Sequence, residues 1–299
     1  MKSEAFRERL TGVAPLLLDS AMGTELERRG ARSQLPLWSA WALLEAPSLI
    51  LAIHRDDLEA GADILTANTF RTHRRTLEKG GKGKRAEELT RQAVTLARRA
   101  AGESERPILV AGSLSPLEDC YRPDLVPDDG ALWQEHGQQA SLLAQAGADL
   151  ILAETHNTVR ELVAAVRAAK ETGLPVVASM TTDGAGRLLS GESVEEAARA
   201  VEGLRPDVLA INCVPVRRML ADLRVLAEAV PSAPLGAYGN LGPPVGSGGT
   251  LFNDPVDPQD YASLAREWLA IGARIVGGCC GTTSAHTRAM RAMIDDLTG

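Results

Sequence analysis

Eight short apolar runs recur along the chain between longer amphipathic segments, and this alternation limits the possible folds more than any other feature. The runs are rich in Val, Ile, Leu and Ala, and each ends in small or polar residues rather than in a hairpin turn. They cover residues 16–19, 62–66, 108–112, 150–154, 176–180, 208–212, 235–238 and 273–277. Between them, segments such as AEELTRQAVTLARRA and VEEAARAVEGL repeat apolar residues at three and four positions, which is typical of helices packed on a sheet.

This alternation predicts a parallel sheet, because strands that are apolar on both faces and joined by helices are buried between two layers. Eight such units are the number that closes a barrel. We therefore predict the α/β class and a (β/α)8 barrel, or TIM barrel, that occupies residues 1–299 as a single domain. A doubly wound open sheet is the alternative, but its first strand usually leads into a glycine-rich fingerprint, and LLLDSAMGTEL has only Gly23 there.

Composition and charge narrow the possible partners. The chain is 44% hydrophobic, enough for a large core, and its net charge of -7 provides no basic footprint for nucleic acid. The basic stretch at 71–75 is expected to be a solvated helix start. The first ten residues lack the apolar stretch of a signal peptide, and no run of about 18 apolar residues occurs, so we expect no membrane contact and a cytoplasmic location.

Two connections are longer than a barrel requires, and both follow predicted strands. They cover residues 113–130 and 240–258. Active sites of barrels are built at the carboxyl ends of the strands, so both connections are candidates to border a site. The second is rich in Gly and Pro, which predicts a binding loop or lid rather than a helix.

Three cysteines follow predicted strands at what should be one end of the barrel. Cys213 comes after the sixth run, and Cys279 and Cys280 come after the eighth. The carboxyl ends of parallel strands meet at one rim, so we predict that the three converge. Neighbouring strand residues point to opposite faces, so the adjacent pair can share an ion only if the strand bends there, and the flanking glycines allow such a bend. Cysteines packed as small buried hydrophobes are the alternative.

Three thiolates with an open fourth position describe a catalytic zinc site, and we predict that these cysteines bind Zn²⁺. Cys120, in the 113–130 connection, is the candidate fourth ligand of a closed site instead. An open position on a sulfur-rich zinc ion favours a substrate thiol. A zinc-water hydrolase is less expected, because the five histidines form no HxH or HExxH pattern.

Six segments, in order along the chain, resemble the homocysteine S-methyltransferase family: LLLDSAMGTELERRG, LTANTF, LAETH, INC, YGN and GGCCGTT. The late GGCC preceded by a distant INC is the most specific of these. The resemblance implies that the three cysteines bind zinc, that zinc binds the sulfur of homocysteine, and that the thiolate attacks a methyl group to give methionine. Zinc lowers the pKa of a bound thiol, so no separate general base is required.

The resemblance also implies which residues bind the amino-acid end of homocysteine. Asp19 and Glu154 end the first and fourth runs, and a carboxylate suits an ammonium group. Helix capping or salt bridging is the alternative role for each. The backbone N–H groups of residues 20–24 are candidates to bind the substrate carboxylate. Ser20 stands where many relatives have glycine, and it adds a side chain at a place of close approach.

Three further polar residues, Asn68, Tyr238 and Asn240, are predicted to lie on the same rim and to line the pocket or orient the metal ligands. Hydrogen bonding at strand ends is their alternative role. Gly239 stands where the family often has proline, so the chain departs from the family pattern at that turn.

The methyl donor is expected to bind at the barrel rim, because little chain follows the eighth run and we expect no cobalamin module or folate domain. Sulfonium and ammonium cations are attracted to aromatic faces. The available rings belong to Trp38, Trp41, Tyr121, Trp133 and Tyr238. S-Methylmethionine or S-adenosylmethionine is favoured as donor, followed by betaine. The alternatives are a non-catalytic zinc or thiol-binding barrel and a methyltransferase for another thiol or selenol. The partners are small molecules in each case, and both a monomer and a homodimer are compatible with the sequence.

Overall fold

Eight parallel strands form one sheet in a computed structural model of the chain, which describes residues 2–241 and 255–299. The strands are β1 (Leu16–Leu17), β2 (Ile64–Ala67), β3 (Leu109–Leu114), β4 (Leu150–His156), β5 (Val176–Met180), β6 (Val208–Pro215), β7 (Leu235–Asn240) and β8 (Ala273–Gly278). Every strand pairs in parallel with its neighbour in the chain, except that β1 pairs with β8. The predicted (β/α)8 barrel is confirmed, with all eight strands in the predicted places.

The barrel closes between its first two strands by few backbone contacts. A single parallel bridge joins Leu18 to Ile64, and the Asp63 N–H donates to the Leu17 carbonyl at 2.8 Å. The carboxylate of Asp19 then accepts hydrogen bonds from the N–H of Thr66 at 2.6 Å and from its hydroxyl at 2.7 Å. The Asp19 side chain therefore replaces the next backbone hydrogen bonds between β1 and β2.

Helices separate the strands and cover the outside of the barrel. They are α1 (Lys2–Thr11), α2 (Met22–Arg28), α3 (Trp41–Glu45), α4 (Pro47–Glu59), α5 (Arg74–Lys79), α6 (Ala86–Ala101), α7 (Asp129–Ala146), α8 (Val159–Glu171), α9 (Val194–Glu202), α10 (Met219–Ala229), α11 (Pro258–Ala270) and α12 (Ser284–Thr298). No helix in these ranges combines the length and the apolar character needed to cross a bilayer. Of the predicted 240–258 connection, residues 242–254 lie outside the described part of the chain.

The apolar strand residues form two cores, as the two-residue period of a strand requires. Leu16 and Leu18 point into the barrel and join its interior cluster, whereas Leu17 faces the helices. Phe6 and Leu10 of α1 also belong to the interior cluster, and Arg9 of α1 forms an ion pair with Asp63 at 2.7 Å. Helix α1 therefore covers the amino end of the barrel, and the carboxyl ends of the strands are left to build a site.

His54 on α4 leads to a prediction about acid stability. Its side chain is fully buried, and neither ring nitrogen has a hydrogen-bond partner among the described residues. Burial lowers its pKa from 6.5 to about 4. Between these pH values the unfolded chain binds a proton that the folded chain does not, so stability falls as the pH drops. We therefore compare the free energy of unfolding of His54→Leu with that of the wild type. We expect this difference to shift by about 2 kcal/mol in favour of the variant when the pH falls from 7.5 to 5, since one pKa unit corresponds to about 1.4 kcal/mol.

Urea unfolding of both proteins at the two pH values measures this difference. Because the comparison is made within each protein, it cancels the effect of the substitution on packing. If the variant and the wild type differed in stability by the same amount at pH 5 and pH 7.5, His54 would not be an uncharged, buried residue.

Candidate metal and substrate site

A cavity of about 290 Å³ lies at the carboxyl ends of the strands. The residues that line it from the ends of strands or just beyond are Asp19, Asn68, Ser113, Glu154, Cys213, Tyr238, Cys279 and Cys280. Further wall is contributed by the segments around Trp38 and Tyr121. The active-site end predicted from the strand order is therefore the end that carries the cavity.

The three predicted cysteines meet at this cavity. The sulfur atoms of Cys213, Cys279 and Cys280 all lie within 4.8 Å of one another, and those of Cys213 and Cys280 are 3.9 Å apart. All four cysteines of the chain are described and are free of disulfides. Cys120 lines the same cavity but does not belong to the cluster. The structure thus contains a possible metal site of three thiols.

An irregular strand end directs Cys213 toward the other two cysteines. Strand β6 shifts register against β7 between Asn212 and Pro215, and Cys213 has a φ of 56°, a conformation that few residues other than glycine adopt. The amide of Asn240 donates to the Cys213 carbonyl at 2.9 Å and lies 3.8 Å from its sulfur. Asn240 therefore stabilises the turn that orients the cysteine, and it does so from outside the cavity wall.

A tight turn brings Cys279 and Cys280 onto the same side. Strand β8 ends at Gly278, and the N–H of Thr282 donates back to the Cys279 carbonyl at 3.0 Å. Gly281 has a φ of 85° and makes the bend possible. Gly278 is required for another reason, since a Cβ atom there would lie 2.2 Å from the Thr282 hydroxyl. The predicted bend between adjacent cysteines is present.

The three thiols shift one another's pKa values. Hydrogen bonds from the thiols of Cys279 and Cys280 hold the pKa of Cys213 well below its ordinary value, and they raise the pKa of each donor. The hydroxyl of Tyr121 adds a contact of 3.3 Å to the Cys213 sulfur. Three sulfur atoms grouped at one point form a donor set that suits a soft cation.

Two buried carboxyl groups face the same cavity. Glu154 accepts a hydrogen bond from the Ser113 hydroxyl, and the Tyr238 hydroxyl lies beside it. Burial, together with the charge of Cys213, raises the pKa of Glu154 to about 7. Burial and the nearby Asp57 also raise the pKa of Asp19 well above its ordinary value. Both groups would gain from a cationic ligand, because a positive charge offsets the cost of burying the carboxylate.

Comparisons with known proteins cover almost the whole barrel. A family model described as homocysteine S-methyltransferase matches residues 16–294. The chain belongs to the homocysteine S-methyltransferase family. It is 32% identical to a selenocysteine methyltransferase of Astragalus bisulcatus, over 89% of this chain and 88% of that protein. It is 30% identical to homocysteine S-methyltransferase 2 of Arabidopsis thaliana, over 92% of this chain and 91% of that protein.

A solved structure agrees with the family assignment. The metallated form of the homocysteine methyltransferase MmuM from Escherichia coli matches with a TM-score of 0.82 and 30% identity, and the match covers 96% of this chain and 99% of that one. The family resemblance drawn from six short segments of the sequence is thereby confirmed.

This member of the homocysteine S-methyltransferase family has Ser20 next to Asp19, and the structure shows what the serine contacts. Its hydroxyl donates to Asp57 of α4 at 2.9 Å, and its N–H donates to the same carboxylate at 3.2 Å. The N–H of Ala21 points to the Thr282 hydroxyl at 3.3 Å. Two of the five amides proposed to bind the substrate carboxylate therefore already have partners inside the protein.

The predicted aromatic residues divide into two groups. Trp38, Tyr121 and Tyr238 line the cavity. Trp41 does not line it and packs under Arg32, and Trp133 is 45% exposed at the surface. Gly23 makes room for the Trp38 ring, because a Cβ atom at residue 23 would lie 2.2 Å from that ring.

Several cavity residues were not predicted from the sequence of this family member. Phe70 adds a ring to the wall, 6.2 Å from Trp38 in an edge-on arrangement, and Ser113 binds Glu154. Asn68, which was predicted, also lines the cavity, and its amide donates to the Ser39 carbonyl at 2.9 Å beside Trp38. Phe70 is the last residue of the LTANTF segment, just after β2, and this position was the signal available.

A second group of potential ligands lies elsewhere in the barrel. His136, His156 and Glu161 are fully buried, with an oxygen of Glu161 3.2 Å from His136. The same oxygen accepts the N–H of Leu117 at 2.8 Å, and burial lowers the pKa of His156 to about 4. None of the three lines the cavity. This group joins β4 to α7 and α8 as a buried hydrogen-bonded cluster.

Proposed function

We propose that the chain transfers a methyl group from a sulfonium or ammonium donor to the thiol of homocysteine and thereby forms methionine. The observation that carries the proposal is the convergence of Cys213, Cys279 and Cys280 at a cavity that also holds two buried carboxyl groups. Membership of the homocysteine S-methyltransferase family supports the same reaction.

Zinc is the ion that we propose for the three thiols. With zinc–sulfur distances of about 2.3 Å, two ligands of a tetrahedral ion lie roughly 3.8 Å apart. The 3.9 Å between the sulfur atoms of Cys213 and Cys280 fits this geometry. Three protein ligands leave one position for a substrate. Zinc bound there would act as a Lewis acid that lowers the pKa of the homocysteine thiol, so that the thiol is available as a nucleophile at neutral pH.

Glu154 is the residue that we propose binds the substrate ammonium group, with Asp19 nearby. Glu154 lines the cavity and is only 8% exposed, and its hydrogen bond from Ser113 leaves other lone pairs free for a donor. Both oxygens of Asp19 already accept bonds from Thr66. We therefore assign direct binding of the ammonium group to Glu154, whereas Asp19 supplies negative charge and keeps β1 beside β2.

The remaining predicted residues would position these groups. Asn240 holds the turn at Cys213, Tyr238 lies beside Glu154, and Asn68 holds the segment that carries Trp38. Ser20, through Asp57, would hold the loop after β1. None of these assignments requires a separate proton-transfer residue.

The donor that we propose is an onium compound, with S-methylmethionine or S-adenosylmethionine ahead of betaine. The rings of Trp38, Phe70 and Tyr121 line the cavity, and aromatic faces attract positively charged methyl groups. The four free thiols also fit a reducing compartment such as the cytoplasm.

A donor panel tests the proposed function. Zinc-loaded protein is incubated with homocysteine and, separately, S-methylmethionine, S-adenosylmethionine or betaine, and methionine is quantified. We expect turnover with at least one donor and about one zinc ion per chain. Binding of homocysteine without turnover on any donor would instead identify a non-catalytic thiol-binding barrel.

A parallel series with selenocysteine and selenohomocysteine tests the acceptor. The similarity to a selenocysteine methyltransferase motivates this arm. A kcat/KM for a selenol well above that for homocysteine would reassign the acceptor and leave the metal site unchanged.

A further inference from the structure

Arg71 is a buried arginine that has no polar partner among the residues the structure describes. It belongs to the basic stretch at 71–75, which the sequence suggests is a solvated helix start. Arg74 fits that description, since it is exposed and pairs with Glu78 at 2.7 Å. Arg75 is bound by Glu135 at 2.9 Å and by Glu118 at 3.2 Å. Arg71 makes no hydrogen bond and no ion pair with any residue in the described ranges, and only 9% of its surface is exposed.

The side chain of Arg71 lines the same cavity as the three cysteines. It is the one basic residue in the described part of the cavity wall, and its guanidinium carbon lies 5.3 Å from the centre of the Phe70 ring. Asp119 is also in the wall, but its carboxylate accepts the N–H of Tyr121 at 2.9 Å. The positive charge of Arg71 also affects a neighbouring group: burial and this charge both lower the pKa of His73.

An unpaired buried guanidinium is unfavourable, because it loses its hydration without gaining a counter-charge. An anionic group of a ligand would supply that charge. The guanidinium is planar, and its N–H groups match the two oxygens of a carboxylate better than those of any other side chain do. The cavity thus presents one cationic group suited to a carboxylate as well as its two acidic groups.

We propose that Arg71 is a specificity-determining residue that binds the carboxylate of an amino-acid substrate in this cavity. The inference rests on the proposed function, because both the acceptor homocysteine and the proposed methyl donors carry a carboxylate. Arg71 lies against Phe70, whose ring packs on Trp38. This position favours the carboxylate of the methyl donor over that of homocysteine. A donor with its carboxylate on Arg71 would lie along the aromatic wall, where a positively charged methyl group is stabilised.

The test compares Arg71→Met, Arg71→Lys and the surface control Arg74→Met. Steady-state kinetics with S-methylmethionine, with its carboxamide and with homocysteine separates the two carboxylates. For Arg71→Met we expect the KM for S-methylmethionine to rise about 100-fold, and for Arg71→Lys about 10-fold, because the lysine keeps the charge but loses the paired hydrogen bonds. The carboxamide should react with wild type and Arg71→Met alike, and Arg74→Met should match the wild type throughout.

The outcomes are distinct. A rise in the KM for homocysteine alone would assign Arg71 to the acceptor carboxylate. Unchanged KM values for both substrates would overturn the inference. A lower Tm for Arg71→Met, with every kinetic constant impaired, would also overturn it and show a structural role, because methionine in place of an unpaired buried charge should not destabilise the fold.

If the wild type forms no methionine from any donor, the proposed function fails and Arg71 is judged by calorimetry. Binding of S-methylmethionine or homocysteine to the wild type but not to Arg71→Met would support carboxylate recognition alone. Equal binding to both proteins, or binding to neither, would overturn it.

Discussion

Cys280→Ala is expected to yield a folded barrel that retains less than about a tenth of a zinc ion per chain and forms methionine at least about 1000-fold more slowly than the wild type. Two thiols cannot replace three, because each ligand contributes to a binding free energy on the order of 10 kcal/mol. A 1000-fold loss of rate corresponds to about 4 kcal/mol. Metal content after dialysis is measured on the same samples as activity, and circular dichroism confirms the fold.

Cys120→Ala is the matched control for this experiment. Cys120 lines the same cavity and is equally buried, but it lies outside the group of three sulfur atoms. We expect this variant to keep its metal and most of its activity. Loss of zinc from Cys120→Ala would show a closed site with four thiols, and normal turnover by Cys280→Ala would refute the metal mechanism.

Glu154→Gln is expected to lower kcat/KM for homocysteine by about 100-fold, or about 2.7 kcal/mol, mainly through the KM for the acceptor. The substitution keeps the size of the side chain and can keep the hydrogen bond to Ser113, but it removes the charge that would bind the substrate ammonium group. Steady-state kinetics at saturating donor measures the effect, and the metal content should remain that of the wild type.

A substrate analogue provides the sharpest control for Glu154. 4-Mercaptobutanoate has the thiol and carboxylate of homocysteine but no amino group, so it should react equally with wild type and Glu154→Gln. If the variant were impaired to the same extent with the analogue, Glu154 would act on the thiol or on the local structure and not on the ammonium group.

Much of the architecture could be predicted because it depends on local periodicity. All eight apolar runs became strands, since a strand buried on both faces leaves a mainly apolar segment in the sequence. The convergence of Cys213 with Cys279 and Cys280 followed from strand order alone, because parallel strands end at one rim. These features require no knowledge of side-chain contacts.

The local distortions that shape the site were not predictable in the same way. Thr155 and Cys213 both adopt a positive φ, at 65° and 56°, near the irregular ends of β4 and β6, the two strands on either side of β5. Residues distant in the sequence hold both conformations by direct hydrogen bonds. The Asn212 side chain accepts from the N–H of Thr155 and donates to its hydroxyl, and the Asn240 amide donates to the Cys213 carbonyl. No residue type marks such a position, because the strain is compensated by residues far away in the chain.

Charge pairing was equally hidden in the sequence. Arg71, Arg74 and Arg75 look alike in the sequence, and their acidic partners lie up to 60 residues away or, for Arg71, are absent from the described residues. The roles of Ser20, Asn68, Tyr238 and Asn240 toward substrate stay predictions, although the contacts of each are now defined.

The junction between β1 and β2 links the resistance of the barrel to local opening with the chemistry of its pocket. β1 has two residues, and the carboxylate of Asp19 replaces backbone pairs with β2 at the place where the cavity begins. Local opening in a folded protein starts where backbone hydrogen bonds are fewest, so the amides at this junction should exchange with solvent before those of the other seven strand pairs. Any sequence change that tunes the pocket at Asp19 or Thr66 therefore also changes how often the barrel opens, and the two properties cannot be selected independently there.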